Sequence, residues 1–153
     1  MNIHIRNATM NDYQAVEMIM QQVQQMHIDW RPDIYKHSET VLPIKVYEQA
    51  VRDQAFFVAE YEERVSGILF IQYRHIEIQN QVTRDIIYID SMAVDENYRG
   101  KGIGHAFFEF LKELKAQKGY DRIELQVNAK NKAAYKMYTD YGFTDKSINM
   151  ELL

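Results

Sequence analysis

Asp90-Ser-Met-Ala-Val-Asp-Glu-Asn-Tyr-Arg-Gly-Lys-Gly-Ile-Gly-His-Ala106 is the most informative stretch of the sequence, because an apolar strand runs there into a glycine-rich turn. Residues 86–94 are apolar and rich in β-branched side chains, which is typical of an interior strand. After the turn, large apolar residues recur at helical spacing to about Gln117, namely Phe107, Phe110, Leu111 and Leu114. The sequence therefore predicts a strand, a turn and a helix in direct succession.

The turn carries glycine at alternate positions, Gly100, Gly102 and Gly104. Glycine removes side chains where backbone N–H groups must approach a ligand, and the positive end of the following helix favours an anion. A Walker loop does not fit, since Lys101 is followed by glycine, and a dinucleotide fingerprint from Gly100 would need a small residue at His105. The turn is thus either a different kind of phosphate cradle or a plain β–α connection.

Length and composition predict one domain over residues 1–153. Hydrophobic residues are 46% and charged residues 26% of the chain, which argues against both disorder and a membrane protein. Residues 1–6 lack the apolar segment of a signal peptide, so a cytoplasmic location is expected. The absence of cysteine excludes disulfides, thiolate metal sites and a cysteine acyl-enzyme, and no metal site is predicted.

Charge is unevenly distributed along the chain, whose net charge of −4 argues against nucleic-acid binding. Residues 99–136 hold nine bases and four acids, which leaves nine bases and 18 acids elsewhere. A basic segment beside the glycine turn suits a polyphosphate cofactor, and an acidic remainder suits a cationic substrate. Chance variation of surface charge is the alternative.

The other predicted elements follow from periodicity and turn residues. They are a strand at 3–6, a helix capped by Thr9 or Asn11 and running to about Gln25, an irregular segment at 26–43, a helix at 43–52, and strands at 55–61, 65–78 and 123–127. Short connections join the strands before residue 94, which predicts an antiparallel meander. The glycine turn and its helix then form a right-handed β-α-β unit, so that strands 86–94 and 123–127 are parallel.

A second motif lies at Asn128-Ala-Lys-Asn-Lys-Ala-Ala-Tyr-Lys-Met-Tyr-Thr-Asp-Tyr-Gly-Phe143. Asn131 precedes a predicted helix that carries Ala134 and Tyr138, and Gly142 closes that helix as a C-cap. Together with the pattern Arg99-x-x-Gly-x-Gly104, this Asn-x-x-Ala-x-x-x-Tyr-x-x-x-Gly-Phe pattern resembles the GNAT superfamily of N-acetyltransferases. The resemblance covers residues 86–143.

The resemblance implies an α+β fold with a central mixed, mostly antiparallel sheet of six to seven strands and about four helices, in which the parallel strands 86–94 and 123–127 splay apart. It also implies acetyl-coenzyme A as co-substrate. Backbone groups would hold its pyrophosphate at Arg99, Gly100, Lys101, Gly102, Ile103, Gly104 and His105. The pantetheine arm would run along Met92, Ala93 and Val94, and would also meet Asn131 unless that residue serves only as a helix N-cap.

Direct attack of an amine within a ternary complex is the simplest route, because the sequence has no cysteine and no evident Ser-His pair. Tyr138 matches the position that protonates the departing thiolate, although it could instead be a packed helix aromatic. Asp90 is the favoured base, acting through a water, with Glu124 as competitor and a purely structural Asp90 as the alternative.

The acceptor is predicted to be a primary amine of a small molecule or peptide, and a homodimer is compatible with the resemblance. His27, Trp30 and Tyr35 are candidate substrate-binding residues, although His27 and Trp30 could equally pack the end of the first helix. Neither a nucleic-acid nor a membrane partner is expected. A non-catalytic acyl-coenzyme A sensor and a structural module with a coincidental glycine turn are the alternative functions.

Overall fold

The structure is a computed structural model that describes residues 2–153, so that Met1 of the predicted domain lies outside it. Its strands are β1 (Ile3–Asn7), β2 (Phe56–Tyr61), β3 (Arg64–Ile76), β4 (Arg84–Val94) and β5 (Arg122–Leu125). Its helices are α1 (Tyr13–Trp30), α2 (Ile44–Arg52), α3 (Ile103–Lys118) and α4 (Lys132–Tyr141). Among these helices, none is long and apolar enough to cross a membrane.

The five strands form one sheet in chain order, β1-β2-β3-β4-β5. The first four are antiparallel neighbours, whereas β5 is parallel to β4 because α3 carries the chain back across the sheet. The mixed sheet and the four helices agree with the predicted fold class. The predicted six to seven strands are wrong for residues 2–153, because residues 144–153 form no strand.

The parallel pairing is shorter than the sequence suggested. Ile86–Ile89 of β4 pair with Arg122–Leu125 of β5, and the predicted strand residues Gln126 and Val127 lie beyond the end of β5. β4 itself continues to Val94 alongside β3. The two long splayed strands are therefore replaced by one long strand and one short strand, which leaves a stretch of β4 without a parallel neighbour within residues 2–153.

Helix α1 is longer than predicted. It ends at Trp30 instead of near Gln25, and the Arg31 N–H still bonds the His27 carbonyl at 2.7 Å. Pro32 is the first residue after Tyr13 that cannot continue a helix, and proline also disfavours helical geometry in the residue before it. His27 and Trp30 consequently lie on the last turn of a helix and not in an irregular loop.

The core lies on both faces of the sheet. One face packs against α3 through buried side chains that include Leu69, Ile87, Ile89, Phe107 and Leu111. The other face packs against α1 and α2 through Val16, Ile19, Tyr47, Phe56 and Ile68. Gly67 of β3 lets the start of α3 come close, since a Cβ there would lie 2.9 Å from Ile103 Cγ2. This contact fixes the first turn of α3 against the sheet.

Asp12 joins β1 to the start of α1. Its carboxylate accepts hydrogen bonds from the Arg6 guanidinium at 2.8 and 3.0 Å and from the Thr9 N–H at 2.8 Å. The bonds from Arg6 hold the pKa of the Asp12 carboxyl below its usual value. A lowered pKa in the folded state adds stability above the unfolded-state pKa of about 4, and this stability is lost as the pH falls through the folded value.

We therefore expect Asp12→Asn to lower the free energy of unfolding by about 1–2 kcal/mol at pH 7, a modest loss because the Arg6 side chain is partly exposed and also reaches Glu60. Urea unfolding of both proteins checks this. The difference should shrink as the pH falls from about 4 through the lowered folded-state pKa, where the wild-type carboxyl is protonated too. If Asp12→Asn lowered the free energy of unfolding equally at pH 7 and at low pH, the charge of Asp12 would not be what stabilises the fold.

Candidate active site

The glycine turn adopts the backbone that its sequence predicts. Gly100 and Gly102 have φ of +76° and +89°, a left-handed region that favours glycine over residues with a Cβ. Gly102 is the N-cap of α3, and the Ala106 N–H donates to the Gly102 carbonyl at 3.0 Å. The N–H groups of Ile103, Gly104 and His105 therefore precede the hydrogen-bond ladder of the helix, and they form a cluster of donors at its positive end.

Contacts from β3 and α1 hold the approach to this turn. The Asp95 N–H donates to the Ser66 carbonyl at 2.8 Å, and the Asp95 carboxylate accepts the Asn97 N–H at 2.9 Å. From α1, Gln22 Oε1 accepts the Glu96 N–H at 3.0 Å. The turn is thus built onto the sheet and onto the second half of α1.

The two basic side chains of the turn, Arg99 and Lys101, are both exposed. The Arg99 guanidinium lies 3.7 Å from the sulfur of Met26, and the Lys101 ammonium lies 5.5 Å from the centre of the Tyr61 ring. Neither cation is held in an ion pair within residues 2–153. Both remain available to an anionic ligand.

An open backbone edge runs towards the turn. Pairing of β4 with β5 stops at Ile89 and Leu125, whereas β4 continues to Val94 with β3 on its other side. The edge of β4 that faces β5 therefore has no strand neighbour, within residues 2–153, over the predicted cofactor residues Met92, Ala93 and Val94. Such an edge can accept one further extended chain.

Asp90 lies where this open edge begins. Phe70 of β3 pairs with Ser91 and Ile71 pairs with Ile89, so Asp90 is the extra residue of a β-bulge. Its side chain is exposed, and its carboxylate accepts hydrogen bonds from Gln72 at 2.9 Å and from the Ser91 hydroxyl at 3.1 Å. A bulge turns a side chain away from the regular pleat, and here the exposed carboxylate leans towards Gln72 of β3, on the side of β4 opposite the open edge.

Glu124 of β5 lies on the same face of the sheet. It is beside Tyr88 in the parallel register, and Tyr88 is also paired with Gln72, the residue that contacts Asp90. Glu124 Oε1 accepts a hydrogen bond from Lys146 at 2.9 Å, whereas Oε2 is buried without a partner in the described chain. The structure therefore brings both carboxylate candidates to one face and leaves one Glu124 oxygen unpaired.

Tyr138 and Asn131 come from the α4 segment. The Tyr138 ring packs edge-on against Phe108 and Phe143, with ring centres 5.8 and 5.7 Å away, and burial raises the pKa of its hydroxyl. This hydroxyl makes none of the hydrogen bonds found within residues 2–153. Asn131 caps α4, since its side-chain oxygen accepts the Ala134 N–H at 3.1 Å, as the N-cap interpretation expected.

His27, Trp30 and Tyr35 form one aromatic cluster at the end of α1. His27 stacks on Tyr35 with ring centres 4.6 Å apart and meets the edge of Trp30 at 5.8 Å. Burial lowers the pKa of His27, and its Nδ1 atom is buried without a hydrogen-bond partner in the described chain. The three candidate substrate residues thus pack on one another, with an unpaired ring nitrogen among them.

Two contacts that the sequence did not predict connect α1 to the loop before α4 and to the segment before the glycine turn. Lys130, in the loop between β5 and α4, donates to the Trp30 carbonyl at 3.0 Å, and Gln22 bonds the residue after Asp95. The second half of α1 therefore contacts the segments that carry both motifs. No sequence pattern marks Gln22 or Lys130, because each is a polar residue whose partner is distant in the chain.

A shallow groove of about 520 Å³ lies between α3 and α4, beside the glycine turn. A Cβ on Gly104 would lie 3.3 Å from the sulfur of Met137, so the two helices approach closely where the turn ends. The groove is lined by His105, Phe108, Ala133, Lys136, Met137, Asp140 and Tyr141. Among residues 2–153 there is no group of three or more His, Asp or Glu side chains arranged to hold a metal ion.

Proteins of similar sequence include an N-acetyltransferase and an N-acetylaspartate synthetase. The uncharacterized N-acetyltransferase MJ1207 of Methanocaldococcus jannaschii is 31% identical over 96 residues, which are 63% of this chain and 42% of that protein. The N-acetylaspartate synthetase of Xenopus tropicalis is 30% identical over 118 residues, which are 74% of this chain and 41% of that protein. The chain thus spans less than half the length of these relatives.

Solved structures match over nearly the whole chain. The BH1408 protein of Bacillus halodurans superposes with a TM-score of 0.92 at 29% identity, covering 98% of this chain and 99% of that one. The aminoglycoside N-acetyltransferase AAC(6')-Iy, in complex with CoA, superposes with a TM-score of 0.71 at 12% identity, covering 98% of each chain, which shows a shared fold. The model of the acetyltransferase (GNAT) family matches residues 20–143. The chain therefore belongs to the GNAT family of acetyltransferases.

Proposed function

We propose that this protein transfers the acetyl group of acetyl-coenzyme A to a primary amine by direct attack in a ternary complex. The observation that carries the proposal is the junction at residues 90–105. A strand edge that has no neighbour in the described part of the chain leads there into a turn with two left-handed glycines, followed by the three leading N–H groups of α3. An extended arm followed by a pyrophosphate matches this order of surfaces.

Each predicted cofactor residue has a proposed role at this junction. Backbone N–H groups from Arg99 to His105 would hold the pyrophosphate, with the side chains of Arg99 and Lys101 adding positive charge. Main-chain groups of Met92, Ala93 and Val94 would pair with the pantetheine arm. Asn131 would contact the arm only through atoms that its capping bond to Ala134 leaves free.

The reaction needs an uncharged amine nitrogen. A lysine-like amine has a pKa near 10.4, so presenting it neutral at pH 7 costs about 4–5 kcal/mol unless the site helps. The nitrogen forms a bond to the acetyl carbon as the carbon–sulfur bond breaks. The amine proton leaves to a base, and the sulfur takes a proton from Tyr138. No covalent acyl-enzyme is required, in agreement with the lack of cysteine.

Asp90 is the proposed base, acting through a water because its carboxylate is short. It is exposed at the bulge and, within residues 2–153, its carboxylate is bonded only to the neutral groups of Gln72 and Ser91, whereas Glu124 is paired with Lys146. The Lys146 ammonium occupies Glu124 Oε1, so this oxygen is not free to receive a proton from the amine. Glu124 keeps one unpaired oxygen, and it remains the competing candidate.

We expect Asp90→Asn to lower kcat/KM by about 10²-fold at pH 7, the lower end of a general base's contribution. The loss should shrink at high pH, where the amine is already neutral. Glu124→Gln, the matched control, should change kcat/KM by less than about threefold. The measurement is the pH dependence of kcat/KM for both variants. The reverse pattern would assign the base to Glu124.

The acceptor is proposed to be a small cationic amine or the amine of a peptide. The acidic remainder of the chain favours a cation, and the cluster of His27, Trp30 and Tyr35 offers aromatic faces to it. Relatives include a ribosomal protein bS18-alanine N-acetyltransferase and a streptothricin acetyltransferase, both from Escherichia coli. We propose a cytoplasmic location and no nucleic-acid or membrane partner.

A panel of amines assayed for release of free thiol from acetyl-coenzyme A tests this proposal. Polyamines, aminoglycosides, amino acids and peptides with free amino termini should be compared at equal concentration. We expect thiol release to depend on one class of amine and to yield an equal amount of acetylated product. Tight binding of acetyl-coenzyme A with no release for any amine would favour the sensor alternative.

A further inference from the structure

The ion pair between Lys146 and Glu124 places a primary amine at the candidate active site. Lys146 lies in the C-terminal segment 144–153, and its ammonium nitrogen donates to Glu124 Oε1 at 2.9 Å. Glu124 is the last residue but one of β5 and one of the two candidate bases. The protein therefore already holds an ammonium group of its own at a carboxylate of the site.

This amine lies near the point where β4 and β5 separate. The last pair of their register joins Ile89 to Leu125, the residue after Glu124. A strand rises by about 3.3 Å per residue, so Glu124 is one such step from the start of the open β4 edge.

The proposed direction of coenzyme A brings its acetyl group to the same point. With the pyrophosphate at residues 99–105 and the pantetheine arm along residues 92–94, the thioester end of the arm comes to the start of the open edge, towards residue 90. A primary amine and the thioester that acetylates amines therefore approach one place.

Contacts on two sides position Lys146 and leave its nitrogen accessible. The preceding residue, Asp145, accepts the Tyr135 hydroxyl of α4 at 3.0 and 3.1 Å, and Glu124 of β5 holds the ammonium. The Lys146 side chain is 58% exposed, against 17% for Glu124. The lysine is thus tied to a helix and to a strand, yet a second group can still reach its nitrogen.

Glu124 is suited to take a proton from the amine that it binds. Its Oε1 already accepts a hydrogen bond from Lys146, and its Oε2 is buried without a partner in the described part of the chain. A carboxylate with a free oxygen can accept a proton and still keep its hydrogen bond. An amine must lose a proton before its nitrogen can attack a thioester, and here the acceptor of that proton is in contact with it.

We propose that Lys146 is an acceptor built into the chain, and that the protein acetylates this lysine on itself. The inference rests on the proposed acetyl transfer. The Lys146 nitrogen bonds to the acetyl carbon as the carbon–sulfur bond breaks, which gives an acetamide and the free thiol of coenzyme A. The ammonium loses two protons. One passes to Glu124, and the other replaces, through solvent, the proton that Tyr138 gives to the sulfur.

Lys136 is the matched control within the same chain. Its ammonium is also paired with a carboxylate, that of Asp140, at 2.6 Å, and its side chain is 76% exposed. It lines the groove between α3 and α4, however, and not the start of the open β4 edge. Direct chemical acetylation by a thioester in solution should therefore modify both lysines, whereas transfer at the site should modify Lys146 alone.

Peptide mass spectrometry of the full chain, incubated with acetyl-coenzyme A and no added amine, tests the proposal. We expect Lys146 to gain an acetyl group at least ~10-fold faster than Lys136, because a tethered amine meets the thioester at a high effective concentration. At saturating acetyl-coenzyme A the rate constant should not change when the protein is diluted. Equal rates at the two lysines would overturn the proposal.

A mixture of two chains shows whether the transfer occurs within one chain. The second chain would be isotope-labelled Gly102→Val, which is expected not to bind acetyl-coenzyme A but keeps Lys146. We expect the wild-type chain to be acetylated at Lys146 at least ~10-fold faster than the labelled chain. Equal acetylation of both chains would overturn a transfer within one chain.

The position of Lys146 can also be measured without acetyl transfer. Desulfo-coenzyme A has neither an acetyl group nor a thiol, and an amine-reactive succinimidyl ester labels exposed lysines. We expect saturating desulfo-coenzyme A to slow the labelling of Lys146 severalfold and to leave that of Lys45, exposed on α2, unchanged. Labelling of Lys146 at an unchanged rate would overturn its placement beside the arm.

Added amines distinguish failure of this inference from failure of the proposed function. If free amines release thiol from acetyl-coenzyme A while Lys146 stays unmodified, acetyl transfer stands and the self-acetylation is overturned. If no amine releases thiol and Lys146 also stays unmodified, both proposals fail together.

Discussion

Gly102→Val should abolish detectable binding of acetyl-coenzyme A. Gly102 has φ of +89°, a conformation that a β-branched residue adopts only with strain, and it is the N-cap residue of α3. Relieving the strain would move the N–H groups that the pyrophosphate requires. Loss of two charge-assisted hydrogen bonds, each worth about 1.5–3 kcal/mol, corresponds to a rise in Kd of at least ~10²-fold. Isothermal titration calorimetry measures it directly.

Gly119→Val is the matched control for this variant. Gly119 closes the other end of α3 with φ of +68°, and no heavy atom outside its neighbours lies within 4 Å of a Cβ built there. Valine should therefore introduce similar backbone strain, with a similar loss of stability, but far from the proposed cofactor. If both variants lose affinity equally, the cause is general destabilisation. Unchanged affinity in Gly102→Val would remove the pyrophosphate proposal.

The glycine turn was predictable because its determinants are local. Two glycines at fixed spacing select the left-handed backbone, and apolar spacing after Ile103 selects a helix that ends at Lys118, one residue beyond the predicted end. The same holds for α4, where Asn131 and Gly142 cap the two ends of a helix. Capping and backbone preferences act within a few residues, so one sequence is enough to identify them.

Contacts between distant residues could not be predicted in the same way. The end of β5 at Leu125 depends on which chain segment is available beside β4, and residues 147–152 alternate polar and apolar side chains, as a strand does, without forming one. A two-residue period says that a strand is favourable but does not identify its partner. The six to seven strands that the family resemblance implied exceed the five strands of the sheet, and the five strands predicted from local patterns are the ones that form within residues 2–153.

The candidate site likewise combines residues that local patterns identify with features that depend on contacts between distant residues. The motifs identified a turn that ends at Gly102, with Ile103 and Gly104 already in α3, and a helix that carries Tyr138. The bulge at Asp90, by contrast, is visible only from the register of two paired strands. The unpaired oxygen of Glu124 and the unpaired ring nitrogen of His27 also depend on packing from elsewhere in the chain. Which carboxylate receives the amine proton is thus a question of geometry that the sequence left open.

Tyr138→Phe separates an enzyme from a sensor, because it keeps the ring and removes the hydroxyl. The ring packs on Phe108 and Phe143, contacts that phenylalanine preserves, so cofactor affinity and stability should hardly change. Burial raises the pKa of Tyr138, which keeps its proton in place at neutral and mildly alkaline pH. If this proton goes to the departing thiolate, kcat should fall by roughly 10²–10⁴-fold, the usual contribution of a general acid.

Tyr135→Phe provides the control on the same helix. The Tyr135 hydroxyl is engaged with Asp145 at 3.0 Å on the exposed side of α4, so its removal should leave kcat within about twofold. Both variants should be compared at saturating acetyl-coenzyme A with the best amine. Because a thiolate is itself a competent leaving group, Tyr138→Phe should retain some turnover. Its kcat relative to that of the wild type at the same pH should be highest at low pH, where solvent can supply the proton. A fall of less than about threefold at every pH, with the fold intact, would make Tyr138 a packing residue and not an acid.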